Sequence, residues 1–188
     1  MERSAELVRM RRPSQSILAY LRAKDGNRPH ILAQAFTHDA SLLMDVKTEV
    51  ISFPPASSGR TAIAEVLVRQ FAQTYENVYT LCLCAPPTSE ARSFACDWLV
   101  VMSCKNGGTV RVGCGRYDWD FAPDSCLVER LKITIETMQL LPPHTVDCMM
   151  DWVASLPYPW CPAILAMQRA PDYPELDAIR RYVERIGA

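Results

Sequence analysis

The sequence predicts an α+β fold, a curved antiparallel sheet wrapped around N-terminal helices and followed by a helical C-terminal extension. Three observations predict it. Apolar residues recur at three- and four-residue steps as far as about residue 75. From about 94 to 138 they alternate at every second position. After Leu141-Pro142-Pro143 the helical period returns. Helices first and a run of strands afterwards is the order of a meander with helices on one face, whereas regular alternation would mark a parallel sheet.

Residues 14–25 carry Ile17, Leu18, Tyr20 and Leu21 at helical spacing. Asp25-Gly26-Asn27-Arg28-Pro29 breaks that run, and Pro29 suits the first turn of a second helix bearing Ile31, Leu32, Ala35 and Phe36. Phe36 to Val46 reads as turn plus strand. Two prolines, three serines and a glycine make 52–59 a loop. From Thr61 to about Tyr75, Ile63, Val66, Leu67, Phe71 and Tyr75 trace the clearest amphipathic helix of the chain.

Val78 to Cys84 is a short strand stopped by Pro86-Pro87. Phe94, Cys96, Trp98, Val100 and Met102 mark one face of the next strand, and Asn106-Gly107 is a strong hairpin signal. Thr109–Phe121 is the return strand and Leu127 to about Met138 another. A short helix over Asp147–Leu156 follows, Pro157, Pro159 and Pro162 forbid anything long, and Asp172–Ile186 forms a final amphipathic helix. The predicted organisation is a flexible terminus (1–13), a core domain (14–141) and a C-terminal helical extension (142–188) that covers the sheet or pairs with a partner.

Composition narrows the classes. The 188 residues are 49% hydrophobic and 22% charged, the balance of a globular chain able to bury a sizeable core. A formal net charge of -1 provides no general pull toward nucleic acid or anionic lipid. No run approaches the roughly 20 apolar residues that cross a bilayer, so no membrane partner is expected and the location is read as cytoplasmic. Arg3, Arg9, Arg11 and Arg12 are interrupted by Glu2 and Glu6 with no apolar stretch behind them, the pattern of a solvated terminus. Cys82, Cys84, Cys96, Cys104 and Cys114 sit within strands among apolar neighbours and read as reduced thiols acting as small hydrophobes. Cys82-x-Cys84 lacks the two-residue gap of a zinc knuckle, and neither metal nor cofactor is expected.

The run Tyr117-Asp118-Trp119-Asp120-Phe121 alternates strictly. If its aromatics face the interior, they line an apolar slot or simply fill the core, while Asp118 and Asp120 face outward toward Arg or Lys. Asp97 is outward by the same argument. Asp45, in an otherwise apolar strand, is either a buried carboxylate with a raised pKa or an outward residue. His38-Asp39 reads as turn structure, with His38 the better pocket candidate. Arg60 reads as a cap or ion-pair partner. Trp152, Tyr158 and Trp160 crowd the extension as packing anchors or as an interface.

The succession of Tyr20, Phe36-Thr37-His38-Asp39-Ala40, Gly59-Arg60-Thr61-Ala62-Ile63 and Gly115-Arg116-Tyr117-Asp118-Trp119-Asp120-Phe121 resembles the nuclear transport factor 2-like superfamily, in its SnoaL-like and ketosteroid-isomerase-like branch. The resemblance covers about residues 14–141. It implies a cone, a cystatin-like α+β barrel with a pocket at its wide end, together with a homodimer through the outer face of the sheet and a small hydrophobic molecule as partner. Ketosteroid isomerases use a tyrosine donor on the first helix, an Asp base on the first strand and a protonated Asp donor on a later strand. Here Tyr20 falls at the tyrosine position, Met44 at the base with Asp45 one residue on, and Tyr117 near the second donor. One of three positions is kept, which argues against an active ketosteroid isomerase.

The candidate catalytic residues are therefore Tyr20, His38, Asp45 and Tyr117, and the candidate pocket lining is Phe36, Trp98, Trp119 and Phe121. The functional expectation is a hydrophobic pocket for a small cyclic carbonyl compound, serving a cofactor-independent isomerase or lyase. The alternative is a non-catalytic ligand-binding or dimeric scaffold domain that recruits partners.

Overall fold

The computed structural model describes residues 11–186. Of the terminus expected over 1–13, positions 1–10 lie outside the described residues, and Pro13 already opens the first helix. That helix, α1 (Pro13–Asp25), starts with proline where a missing N–H costs nothing, and Gln15 accepts the Arg12 backbone N–H at 2.9 Å. Ile17, Tyr20, Leu21 and Lys24 form its buried side. The second helix expected at Pro29 is a short 3-10 turn (Pro29–Gln34), because the chain must be extended again at Phe36.

Strand β1 (Phe36–Val46) and the short β2 (Ala56–Ser58) bracket the loop. The expected amphipathic helix runs from Arg60 to Thr74 in three pieces: α2 (Arg60–Ala64), a π segment (Glu65–Gln70) and α3 (Phe71–Thr74). Strands β3 (Tyr75–Cys82), β4 (Ser93–Cys104), β5 (Val110–Phe121) and β6 (Val128–Leu141) follow. Three short helices complete the chain: α4 (Val146–Ala154), α5 (Ala163–Gln168) and α6 (Asp177–Ile186). Pro162 immediately precedes α5, which is short enough to fit among the prolines.

The sheet has six strands in the order β2-β1-β6-β5-β4-β3; it is curved and stays open, so the expected barrel does not close. Four pairings are antiparallel, and β1 joins β6 in parallel. Strand β6 bulges against β5 at Glu136, opposite Cys114/Gly115, and at Glu129, opposite Asp120/Phe121, and the sheet bends there.

Two cores result. The concave side buries Ile17, Tyr20 and Leu21 of α1, Ile63 and Leu67 of the central helix, and Phe36, Leu42, Trp119 and Leu131 of the sheet. The convex side buries Leu81, Leu99, Val101, Val112 and Cys114 beneath Met149, Trp152 and Val153 of α4 and Ile179, Tyr182 and Val183 of α6. Each such side chain contributes about 1.5–3 kcal/mol when fully buried, which holds the extension on the sheet. Trp152 Nε1 donates to the Ala166 carbonyl at 3.1 Å, and the Tyr182 hydroxyl donates to Asp97 Oδ1 at 2.5 Å, so the outward Asp97 has a partner from the extension. Strand β4 is thus covered on both faces, which explains its continuous apolar run from Leu99 to Met102.

The convex face of β3–β5 is occupied by this chain's own helices, while the outward side of β1 and the neighbouring part of β6 carries ion pairs and the exposed Leu43. Asp45 meets Lys132 there at 3.8 Å, and Arg130 meets Asp120 of β5. No helix among the described residues is long and apolar enough to cross a membrane.

Candidate functional site

The concave core is not completely filled. A cavity of about 50 Å³ lies between α1, the central helix and the strands. Its walls are mostly apolar: Leu67, Phe71, Val100, Ile133 and Ile135, with three methionines, Met44, Met102 and Met138. Methionine is unbranched and flexible, so walls of this kind can shift to admit a ligand larger than the resting space.

Polar atoms enter at two places. Residues four apart on a helix share a face, so α1 presents both Tyr20 and Lys24 to the cavity. Tyr20 is enclosed by aromatic edges, with ring centroids 5.8 Å from Phe36, 6.0 Å from Tyr117 and 5.4 Å from Trp119. Tyr117 of β5 and Trp98 of β4 join it in the lining, their rings 5.6 Å apart. Burial pushes the Tyr20 phenol well above its ordinary 10.0, and a side-chain hydrogen bond with Tyr117 partly offsets this. Burial also raises Tyr117, and the same hydrogen bond raises it further. Both phenols keep their protons, and Tyr20, as a lining residue, can turn its hydroxyl toward the cavity.

The second polar place is an ion pair with its own shell. Lys24 is 6% exposed. Its Nζ donates to Asp25 Oδ1 at 2.7 Å and to Thr80 Oγ1 at 2.7 Å, and it stands 4.9 Å from the centre of the Phe71 ring. Asp25 also accepts the Thr80 backbone N–H at 2.8 Å, the Thr80 hydroxyl at 2.9 Å and the Tyr158 hydroxyl at 3.0 Å. Tyr158 belongs to the C-terminal extension, whose next residues join β3. Cys82 N–H donates to the Pro159 carbonyl at 2.7 Å, and Cys161 N–H donates to the Cys82 carbonyl at 2.9 Å. The extension therefore reaches the polar end of the cavity as well as the convex face.

The structure brings together only part of the predicted set. Tyr20, Tyr117 and Trp98 line the cavity. Phe36, Trp119 and Phe121 are buried outside the lining, the first two packed against the Tyr20 ring. His38 is exposed on β1. Asp45, its side chain 45% exposed, faces outward toward Lys132. The reason is the period of a strand: Met44 points into the cavity, so its neighbour Asp45 points away. Neither His38 nor Asp45 converges on Tyr20. Lys24 and Thr80 escaped the sequence reading, which put Met44 at the base position and Met102 on the Trp98 face of its strand without assigning either to the pocket lining; the Tyr20–Lys24 spacing of one helical turn was the available signal for the lysine. Asp118 and Asp120 face outward as expected, beside Arg116 and Arg130 respectively.

A pH effect follows from the buried phenols. Tyr20 and Tyr117 keep their protons in the folded chain at pH values where the unfolded chain has lost them. Their contribution is therefore complete below pH 10 and declines as pH rises further. Urea midpoints are expected to be flat from pH 8 to about 9.5 as far as these groups are concerned, and to fall by pH 11. A midpoint unchanged at pH 11 would contradict the buried, protonated pair.

No protein-family model matches the sequence, and no curated protein sequence matches it. Solved structures do resemble it. They include a Delta 5-3-ketosteroid isomerase from Mycobacterium sp. (TM-score 0.54, 16% identity, 70% of this chain and 100% of that one). A nuclear transport factor 2-like superfamily protein from Salmonella enterica aligns with TM-score 0.52 at 18% identity, over 66% of this chain and 88% of that one. A computationally designed 17-OHP binder aligns with TM-score 0.53 at 12% identity, over 70% and 100%. The chain has the nuclear transport factor 2-like fold.

Proposed function

We propose that this chain binds a small, single-ring, largely apolar carbonyl compound in the concave cavity, with the Tyr20 hydroxyl donating to the ligand oxygen. One observation carries the reading: a buried phenol pair, Tyr20 and Tyr117, borders a cavity whose walls are otherwise mostly apolar, with Lys24 and Thr80 at one end. A pocket of that kind takes its affinity from apolar contact and its orientation from the few polar groups. A ketosteroid isomerase and a designed 17-OHP binder among the similar folds are in keeping with it.

Isomerase or lyase chemistry also requires a group that accepts a proton from carbon. Among the described residues no histidine, aspartate or glutamate lines the cavity, Met44 points inward at the expected base position, and Lys24 is tied to Asp25. Non-catalytic binding is the reading these side chains favour. A homodimer through the sheet, in this reading, uses the convex side of β1 and β6, where Leu43 is exposed, since α4 and α6 occupy the rest. The buried free thiols fit a reducing compartment such as the cytoplasm.

The test is a titration with cyclohexanone, followed by tryptophan fluorescence or by NMR. Saturable binding is expected in the wild type, weakened about tenfold in Tyr20→Phe, the loss of one hydrogen bond of ~1.4 kcal/mol. Equal affinity in the two proteins would remove Tyr20 from the role, and no binding in either would remove the pocket.

A further inference from the structure

We infer that Lys24 and Trp98 form a second oxygen-binding point in the same cavity, so that the preferred ligand carries two neutral acceptor oxygens on opposite sides of one ring. This rests on the reading of the cavity as a ligand site and adds a second point of attachment to it.

Two independent observations meet there. The first concerns Trp98. Its indole Nε1–H is buried and finds no acceptor among the described residues, although the residue lines the cavity and is only 3% exposed. A buried donor left unpaired keeps its desolvation cost, and a ligand oxygen that reaches it recovers that cost.

The second concerns Lys24. An ammonium has three N–H groups, and the protein accepts two of them, at Asp25 and Thr80. Asp25 is saturated: its two oxygens take the four contacts from Lys24, the Thr80 hydroxyl, the Thr80 backbone and Tyr158. Among the described residues the third N–H of Lys24 finds no acceptor and meets the face of Phe71, in a residue that borders the cavity. Both donors belong to one wall. Cys82 pairs with Trp98 and Thr80 with Val100 across β3 and β4, which sets Trp98 diagonally beside the Thr80 that holds Lys24.

The charge of the site decides the ligand class. Lys24 and Asp25 sum to zero, so a carboxylate entering the cavity would bring an uncompensated charge into a nearly dry space beside Asp25. A ketone, lactone or ether oxygen accepts the same hydrogen bonds without that cost. Spacing decides the shape. Tyr20 and Lys24 enter the cavity from one face of α1, one helical turn apart, with a Cβ separation of about 5–6 Å that is comparable to the size of a six-membered ring.

The experiment compares three probes: cyclohexanone, cyclohexane-1,4-dione and 4-oxocyclohexanecarboxylate. The wild type is expected to bind the dione about tenfold more tightly than the monoketone, and the carboxylate more weakly than the dione. Trp98→Phe keeps an aromatic side chain but removes the indole N–H together with part of the ring system; the lost volume acts on both ketones alike, so the preference for the dione reports the donor and should fall at least about threefold. Lys24→Met should do the same; if it fails to fold, Trp98→Phe decides alone. A wild type that does not distinguish dione from monoketone overturns the inference, as does a preference that survives Trp98→Phe or a carboxylate bound most tightly. Monoketone binding that depends on Tyr20, without any preference for the dione, would sink this inference alone. Absence of binding by all three probes would sink the pocket with it.

Discussion

Gly115→Ala is expected to lower the unfolding free energy by at least about 3 kcal/mol, or to abolish folding. Gly115 sits opposite Trp98 of β4, beside the bulge of β6 at Glu136. A Cβ there would lie 1.9 Å from the Thr134 carbonyl oxygen, 2.9 Å from its carbon and 2.8 Å from Trp98 Cζ2. The first two are backbone atoms of the neighbouring strand, so relief requires β5 and β6 to separate. Gly113 makes the contrast. A Cβ at that position meets chiefly the flexible end of Met138, at 2.5 Å, and that end can move. Gly113→Ala should therefore fold with a smaller loss, while pressing Met138 toward the cavity it lines. Urea denaturation of both variants checks the pair: comparable losses at 113 and 115 would mean that close approach of the two strands is not what the bulge provides. The link to function is direct, because the same close approach seats Trp98 in the cavity wall.

The second large effect is expected at Asp25. Asp25→Ala leaves the Lys24 ammonium buried without its counter-charge and strips an acceptor from Thr80 and from Tyr158. Removing one partner of a buried pair costs about 3–5 kcal/mol. Asp45→Ala is the matched control: its pair with Lys132 spans 3.8 Å between half-exposed side chains and should contribute no more than about 0.5 kcal/mol. Adding Lys24→Met to Asp25→Ala should restore much of the loss, since it removes the stranded charge. A double variant no more stable than Asp25→Ala would show that the acceptor role of Asp25 toward Thr80 and Tyr158, and not the buried charge, dominates.

The layering of the fold was legible from periodicity alone. The change from helical to alternating spacing near residue 75 falls where the helix gives way to β3, and Asn106-Gly107 lies in the turn between β4 and β5. The parallel pairing of β1 with β6 was not legible, because alternation has the same form whichever way a neighbouring strand runs. The role of the extension stayed open for a similar reason: Leu99, Val101 and Val112 mark a second apolar face, but single strands do not say what covers it.

At the site, Tyr20, Tyr117 and Trp98 were found because aromatic side chains at the right period announce a buried face. Lys24 was missed because a lysine on an amphipathic helix is normally solvated. Only the meeting of Asp25, Thr80 and Tyr158, which are distant in sequence, makes its burial tolerable. His38 and Asp45 were singled out for their chemistry, and the strand places both outside the cavity.

The most direct measurement is the infrared carbonyl stretch of cyclohexanone bound to the wild type and to Tyr20→Phe. A buried phenol donating to the ligand oxygen lowers that frequency relative to the ketone in an apolar solvent, and the phenylalanine variant restores it. A bound ketone whose carbonyl vibrates at the apolar-solvent frequency in both proteins would contradict the account.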